Sequence, residues 1–317
     1  MALPNHIQNA ESLTTTHEAT RAGFISIALE KNRRADPHIA KARALRAKAQ
    51  LLGGPTDLVN EMVARNQVLA ASGLSVKALK YLDETDRDIA IGEFVENCLV
   101  PAGDAWREEL IYRFLLTQGD ALGGEMRNVV GRLGDERFLK YLIAALQVAG
   151  TDIRWLHKKS KKWSELGEEA EAIQYGNGLE WQVDDQPRTM LFNVKVPLVD
   201  KNVDSIILRC TAEQARQKKD PFIKNAHFYI ALGELKGGID PAGADEHWKT
   251  ANHTLSRIGS KFAAAQLNPK RYFVGAAIES AMAVELIDQL QSSHLSNAAN
   301  LTNDAQMASF ANWLVQL

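Results

Sequence analysis

Two apolar runs of strand length place the strongest constraint on how this chain folds. DSIILRC, from Asp204 to Cys210, and AHFYIALGELK, from Ala226 to Lys236, hold uninterrupted apolar stretches without polar alternation. A strand without alternation must be covered on both faces, so both runs are expected inside a layered sheet. LEWQVDD and RTMLFNVKVPLVD carry β-branched and aromatic residues in partial alternation, and Gln186-Pro187 is the expected turn between them. RYFVGAAI reads as a further strand. Helical patterns fit GADEHWKTANHTLSRIGSKFAAA, ESAMAVELIDQLQSS and NDAQMASFANWLVQL. Strands alternating with helices define an α/β class.

The first half has a different character. Up to about residue 165 alanine, leucine, lysine and glutamate dominate, with apolar positions at helical spacing. In KARALRAKAQLL, Ala42, Leu45, Ala49 and Leu52 share a face, and Gly53, Gly54 and Pro55 end the pattern. TDLVNEMVARNQVLAASG is expected to start at a Thr56 or Asp57 cap and stop at Gly73. LSVKALKYL, RDIAIGEFVENCLV, AWREELIYRFLLTQG and ERFLKYLIAALQVAG fit further helices. At 317 residues there is enough chain for two domains, a helical one over 1–165 and an α/β one over 166–317.

No apolar run approaches the roughly 20 residues that cross a bilayer, so no membrane partner is expected. The first twenty residues lack the basic and apolar regions of a signal peptide. Cys98 and Cys210 make neither a disulfide framework nor a zinc pattern, which points to a cytoplasmic protein with reduced thiols. The net charge of -2 does not advertise a polyanionic partner, but its distribution is uneven. Lys31, Arg33, Arg34, Lys41, Arg43, Arg46 and Lys48 oppose a single acid, Asp36, and TDIRWLHKKSKKW packs Arg154, His157, Lys158, Lys159, Lys161 and Lys162 around Trp155 and Trp163. Such stripes can bind phosphates, and they equally suit a solvated helix face.

The end of the second apolar run carries the chemistry. Side chains on a strand alternate, so Glu234 and Lys236 point one way and Leu235 the other. Asp204 opens the earlier strand. If the two strands are neighbours, Asp204, Glu234 and Lys236 converge. Adjacent carboxylates repel unless a cation lies between them, and a hard oxygen-liganded divalent ion, Mg²⁺ first, meets that need. The Leu235 carbonyl is a candidate further ligand, and the Lys236 ammonium can hold a phosphate oxygen or orient water. Those parts suit phosphodiester hydrolysis. An E-x-K triplet at a strand end is also common as a solvated edge. Here Gly237-Gly238 turns the backbone sharply toward Asp240, Asp245, Glu246 and His247, gathering acids and a histidine at one end of the sheet.

Asp204 followed by Glu234-x-Lys236 resembles the PD-(D/E)XK nuclease signature, with Val203 where that motif has proline. The longer run ELKGGIDPAGADEHWKTA closely resembles the AvaI/BsoBI family of type II restriction endonucleases, and the resemblance covers most of the chain. It implies a PD-(D/E)XK-like central mixed sheet flanked by helices, with a helical domain that embraces DNA. It further implies a homodimer that encloses duplex DNA and, with Mg²⁺, cuts within the degenerate palindrome CYCGRG to leave 5′ overhangs. A cognate DNA methyltransferase acting on the same site without forming a stable complex is implied as well. By position, the resemblance makes Asp204 and Glu234 metal ligands, Lys236 the catalytic lysine, and His247 the histidine near the attacking water. Asp240 falls on an acid facing bases and Lys201 on a DNA-contacting lysine. Lys77 and Lys80 are candidates for purine N7 or phosphate contacts, as are Arg33 and Arg34 of the first basic cluster for phosphates. Two other readings remain open at this point: a repair or junction-resolving nuclease on the same core, and a DNA-binding regulator. Against the regulator stand the acid-acid-lysine set and the lack of a glycine-rich nucleotide loop.

Overall fold

In the computed structural model, which describes residues 3–62 and 64–317, both apolar runs become interior strands of one sheet. Its strands are β1 (Arg154–His157), β2 (Trp163–Glu165), β3 (Gly176–Val183), β4 (Gln186–Val196), β5 (Lys201–Leu208), β6 (Tyr229–Lys236), β7 (Lys270–Gly275) and β8 (Asn297–Asn300). They lie in the order β2-β1-β3-β4-β5-β6-β7-β8. Pairing is antiparallel from β2 to β6 and parallel across β6, β7 and β8. Short turns reverse the chain from β3 to β4 and from β4 to β5, whereas the long helices α8 and α9 carry it back so that β7 and β8 run in the direction of β6. The mixed α/β class read from the sequence is therefore the class observed.

The helices are α1 (Ala10–Leu13), α2 (His17–Ala49), α3 (Arg65–Ala71), α4 (Glu84–Phe94), α5 (Trp106–Val148), α6 (Glu169–Tyr175), α7 (Ala212–Ala215), α8 (Ala244–Ala264), α9 (Ser280–Gln291) and α10 (Asp304–Val315). Helix α8 crosses from β6 to β7 and buries Trp248, Ala251, Leu255, Ile258 and Phe262 along one face. Ile258 and Phe262 join Val203, Ile206 and Leu232 of β5 and β6 in a single core. An aromatic cluster lies elsewhere in the same unit: Phe138 of α5 sits 6.3 Å from Phe192 and 6.1 Å from Phe310 of α10. Each such side chain contributes about 1.5–3 kcal/mol through burial.

The chain divides into two compact units, one of Met1–Phe24 with Val130–Leu317 and one of Ile25–Val129. The second is all helical, with Ala42, Leu45 and Ala49 of α2 packed in one core with Val68, Leu69, Trp106, Leu110 and Phe114. This division is drawn differently from the boundary expected at 165, because β1 and β2 precede that residue yet pair into the sheet.

Local differences from the sequence reading have identifiable causes. The basic cluster TDIRWLHKKSKKW is a β-hairpin rather than a helix. Its turn is built on His157 Nδ1, which accepts from the amides of Lys159 and Ser160, and on Lys161 with φ 58°. The β3–β4 turn is Asp184-Asp185, not Gln186-Pro187, which pair with Val183 and Gln182 as the start of β4. Both aspartates have positive φ, 49° and 59°, the two-residue turn that matches strand twist and that Asp tolerates. AWREELIYRFLLTQG and ERFLKYLIAALQVAG belong to one helix, α5. TDLVNEMVARNQVLAASG is a 3₁₀ turn over Pro55–Asn60 followed by α3, with Val63 outside the described residues. LSVKALKYL keeps one 3₁₀ turn, Ala78–Lys80. No helix among the described residues is long and apolar enough to cross a membrane.

Candidate active site

The antiparallel register Ser205↔Gly233 carries Asp204 abreast of Glu234 on one face of the sheet, where alternation adds Lys236. The Lys236 ammonium lies between the two acids, donating to Asp204 Oδ2 at 2.7 Å and to Glu234 Oε2 at 2.9 Å. The Leu235 amide donates to the same Asp204 Oδ2 at 2.9 Å, which fixes that carboxylate. Beneath them Ser205 Oγ donates to the Gly233 carbonyl at 3.2 Å and meets the Tyr272 hydroxyl at 2.7 Å. A Cβ on Gly233 would come within 1.9 Å of the Tyr272 ring, so glycine one residue before Glu234 is what lets that ring lie flat under the site.

Glu234 is only 3% exposed. Burial first, and the Asp204 charge second, push its carboxyl up to about 7, against the opposing pull of Lys236. For Lys236, burial favours the neutral amine, but attraction to Asp204 and Glu234 outweighs it and the pKa is raised. Glu234 Oε1 is buried with no hydrogen-bond partner. A buried, unpaired carboxylate oxygen is costly and calls for a cation or a donor. Hard oxygens from Asp204, Glu234 and the Leu235 carbonyl are what a divalent ion such as Mg²⁺ accepts, and that ion keeps part of its water. The donor set fits such a metal. It rests on two carboxylates, since no group of three or more His, Cys, Asp or Glu among the described residues is spaced to hold one.

Comparison with known proteins matches nearly the whole chain. The family described as restriction endonuclease BsobI matches residues 3–317. The type II restriction enzyme AvaI of Nostoc sp. is 47% identical over 313 residues, covering 98% of each chain. The type II restriction enzyme BsoBI of Geobacillus stearothermophilus is 44% identical over 317 residues, covering 99% of this chain and 98% of its own. The chain belongs to the BsoBI restriction endonuclease family.

In this BsoBI-family chain the remaining expected residues fall into two groups. His247, on the first turns of α8, lines a small crevice with Lys236, Gly238 and Trp248. Gly243 approaches the same ring: a Cβ there would lie 3.4 Å from His247 Nε2. Asp240 is exposed and caps the turn leading to α8, accepting from the Ala242 amide at 3.0 Å. Lys201 begins β5 and is half-buried. Lys77, Lys80, Arg33 and Arg34 belong to the all-helical unit. Lys77 and Lys80 are exposed. Arg33 is held by Glu30, while Arg34 is shared by Glu30 and Glu125.

One acid beside the site has no sequence signature. Asp135, in the last third of α5, is half-buried. Burial and the nearby Asp204 charge push its carboxyl up to about 6, while Lys158 and Lys236 pull it back. No motif marks it, because its neighbourhood is made by packing.

The BsoBI-family carboxylate pair predicts a pH effect on stability. Glu234 titrates near 7 in the fold against an ordinary 4.5, so the fold favours its protonated form. Its stabilising contribution is complete below about pH 4.5 and is lost as pH rises through about 7. In EDTA, the melting temperature is expected to drop between about pH 4.5 and 7, and Glu234→Gln to flatten that drop. Parallel melting curves for the two proteins would remove Glu234 as the source.

Proposed function

We propose that this type II restriction endonuclease hydrolyses both strands of duplex DNA within the palindrome CYCGRG, leaving 5′-phosphate ends and 5′ overhangs. The observation that carries the chemistry is the pair Asp204 and Glu234 abreast, one oxygen buried and unpartnered, with the Lys236 ammonium against both. The reading places the site in the PD-(D/E)XK class, with Val203 in place of proline. The mixed sheet and the acids at adjacent strand ends support it.

Asp204, Glu234 and the Leu235 carbonyl are the residues to hold Mg²⁺, which when bound supplies Lewis acidity at the phosphoryl oxygen and acidifies a water. Lys236 places its positive charge where the phosphate's non-bridging oxygen gains charge, a role for which its raised pKa keeps it protonated. The Leu235 amide locks the Asp204 carboxylate in plane. His247, lining the crevice beside Lys236, orients the attacking water and can accept its proton. The exposed Asp240 carboxylate can accept from cytosine N4, while Lys201, Lys77 and Lys80 can donate to guanine or phosphate. Arg33 and Arg34, when released from Glu30, supply phosphate contacts, as does the basic hairpin around Lys158.

A palindrome calls for a two-fold symmetric protein, so the working form is a homodimer whose helical parts embrace the duplex. A methyltransferase protecting the same sequence acts on DNA without a stable complex. The test is a digest of a fully sequenced phage DNA with Mg²⁺, beside EDTA. Discrete fragments ending within CYCGRG are expected; a smear would remove the specificity, and intact DNA under every divalent metal would remove the chemistry. Asp240→Ala is expected to lower discrimination by about tenfold to a hundredfold, the worth of one good base contact. Unchanged binding to cognate and one-base-altered duplexes would remove Asp240 as a base reader.

A further inference from the structure

We propose that Asp135 is a third, positioning carboxylate of the cleavage site, acting on the divalent cation across its hydration shell. The inference rests on the metal-nuclease reading above and extends it to a residue of α5. Geometry brings α5 to the site one residue before Asp135. Its neighbour Gly134 touches the loop that follows Lys236 directly: a Cβ at Gly134 would lie 2.6 Å from Gly237 Cα, and one at Gly237 3.2 Å from the Gly131 and Val130 carbonyls. Two facing glycines bring the helix backbone against the chain just past the catalytic strand.

One residue on, the Asp135 side chain is half-buried among charges that belong to the site. Asp204 and Lys236 act on it, together with Lys158 of the β1–β2 hairpin and Glu136. No described residue hydrogen-bonds or ion-pairs with its side chain, although Lys158 and Lys236 are close. The half-buried Asp135 carboxylate has lost part of its hydration with no donor to replace it, and a third negative charge beside Asp204 and Glu234 adds repulsion. Purely structural packing would not favour that placement. It becomes favourable once a doubly charged ion lies among the acids.

Asp135 is not a direct ligand, because no three carboxylates among the described residues are spaced for one ion. Mg²⁺ holds several waters in a rigid octahedron, and those waters need acceptors. An outer carboxylate supplies one and orients the shell, a role whose loss typically weakens metal affinity by about 10–100-fold.

The test is Mn²⁺ binding to the full-length protein, followed by the electron paramagnetic resonance of free Mn²⁺. Parent, Asp135→Asn, Asp135→Ser, Asp135→Glu and Glu234→Gln are compared. Asp135→Asn is expected to weaken Mn²⁺ about tenfold, Asp135→Glu to restore most of it, and Glu234→Gln to weaken it at least as much. Thermal melts give a second readout. In EDTA, Asp135→Asn is expected to melt no lower than the parent, since a repulsive charge is gone, while the rise on adding Mg²⁺ shrinks. If the asparagine variant fails to fold, the serine variant decides by the same measurements. Parent-like Mn²⁺ affinity in a folded neutral variant, with Glu234→Gln impaired, overturns the role of Asp135 alone. Absence of Mn²⁺ binding by the parent overturns the metal reading and this inference together.

Discussion

Glu234→Ala is expected to reduce single-turnover cleavage by at least about 10³-fold while leaving specific binding within a few-fold of the parent. The size follows from what is removed. Glu234 supplies the buried, unpartnered oxygen and one of the two carboxylates that fit a divalent ion, and in the proposed mechanism transition-state stabilisation of several kcal/mol depends on it. Lys236→Ala is expected to cost at least about 10²-fold, the worth of one well-placed charge at a reacting oxygen. Binding survives in both because affinity comes from phosphate and base contacts made elsewhere. With Glu234 gone, the Lys236 ammonium keeps Asp204 as a partner, so the strand end stays ordered. Affinity in EDTA is expected to be unchanged or slightly tighter, since a negative charge facing phosphate has been deleted. Rapid-quench cleavage beside a gel-shift titration measures both quantities. Cleavage within tenfold of the parent would show that Glu234 does not hold the reacting ion.

Gly134→Ala carries the second large effect, and it lies outside the reacting groups. The added Cβ would sit 2.6 Å from Gly237 Cα. The Cβ position is fixed by the helix backbone and its neighbour is itself backbone, so no rotamer change relieves the overlap. Either α5 or the Lys236–Gly238 segment must move. Overpacking of this kind costs about 1–3 kcal/mol in stability. A shift of about 1 Å at the strand end that carries Glu234 and Lys236 is enough to cost about 10²-fold in rate. Gly131→Ala is the matched control, one turn earlier on the same helix. Nothing lies within 4 Å of its Cβ position, so alanine there is expected to be neutral or stabilising by up to about 1 kcal/mol. Denaturant melts and cleavage rates of the pair decide the matter. Equal behaviour of the two variants would mean that the loop after Lys236 does not depend on the helix.

What the sequence alone determined is local in origin. The continuous apolar runs around Ile206 and Leu232 require a sheet covered on both faces, since no other element buries such segments so completely. Alternation puts Glu234 and Lys236 on one side of their strand, and Gly237-Gly238 marks where it ends. Family membership was legible in ELKGGIDPAGADEHWKTA and agrees with the whole-chain match.

The tertiary structure decided everything that depends on partners distant in the chain. The pairing of β5 with β6 turned three separate charges into one cluster in which Lys236 bridges both acids. Strand β8, Asn-Ala-Ala-Asn, has no apolar pattern; it is a strand because β7 lies beside it, and buried Asn300 is satisfied by Leu13 and Thr15 from the N-terminal segment. The basic hairpin around Lys158 contains too few residues to display alternation, and pairing with β3 defines it. Asp135 is the sharpest case. Nothing in its own neighbourhood of sequence distinguishes it from any acid on a helix, because its setting arises where Gly134 and Gly237, a hundred residues apart, bring two backbones into contact. Periodicity records what one segment must bury, whereas a charge's surroundings are set by whichever segments pack against it.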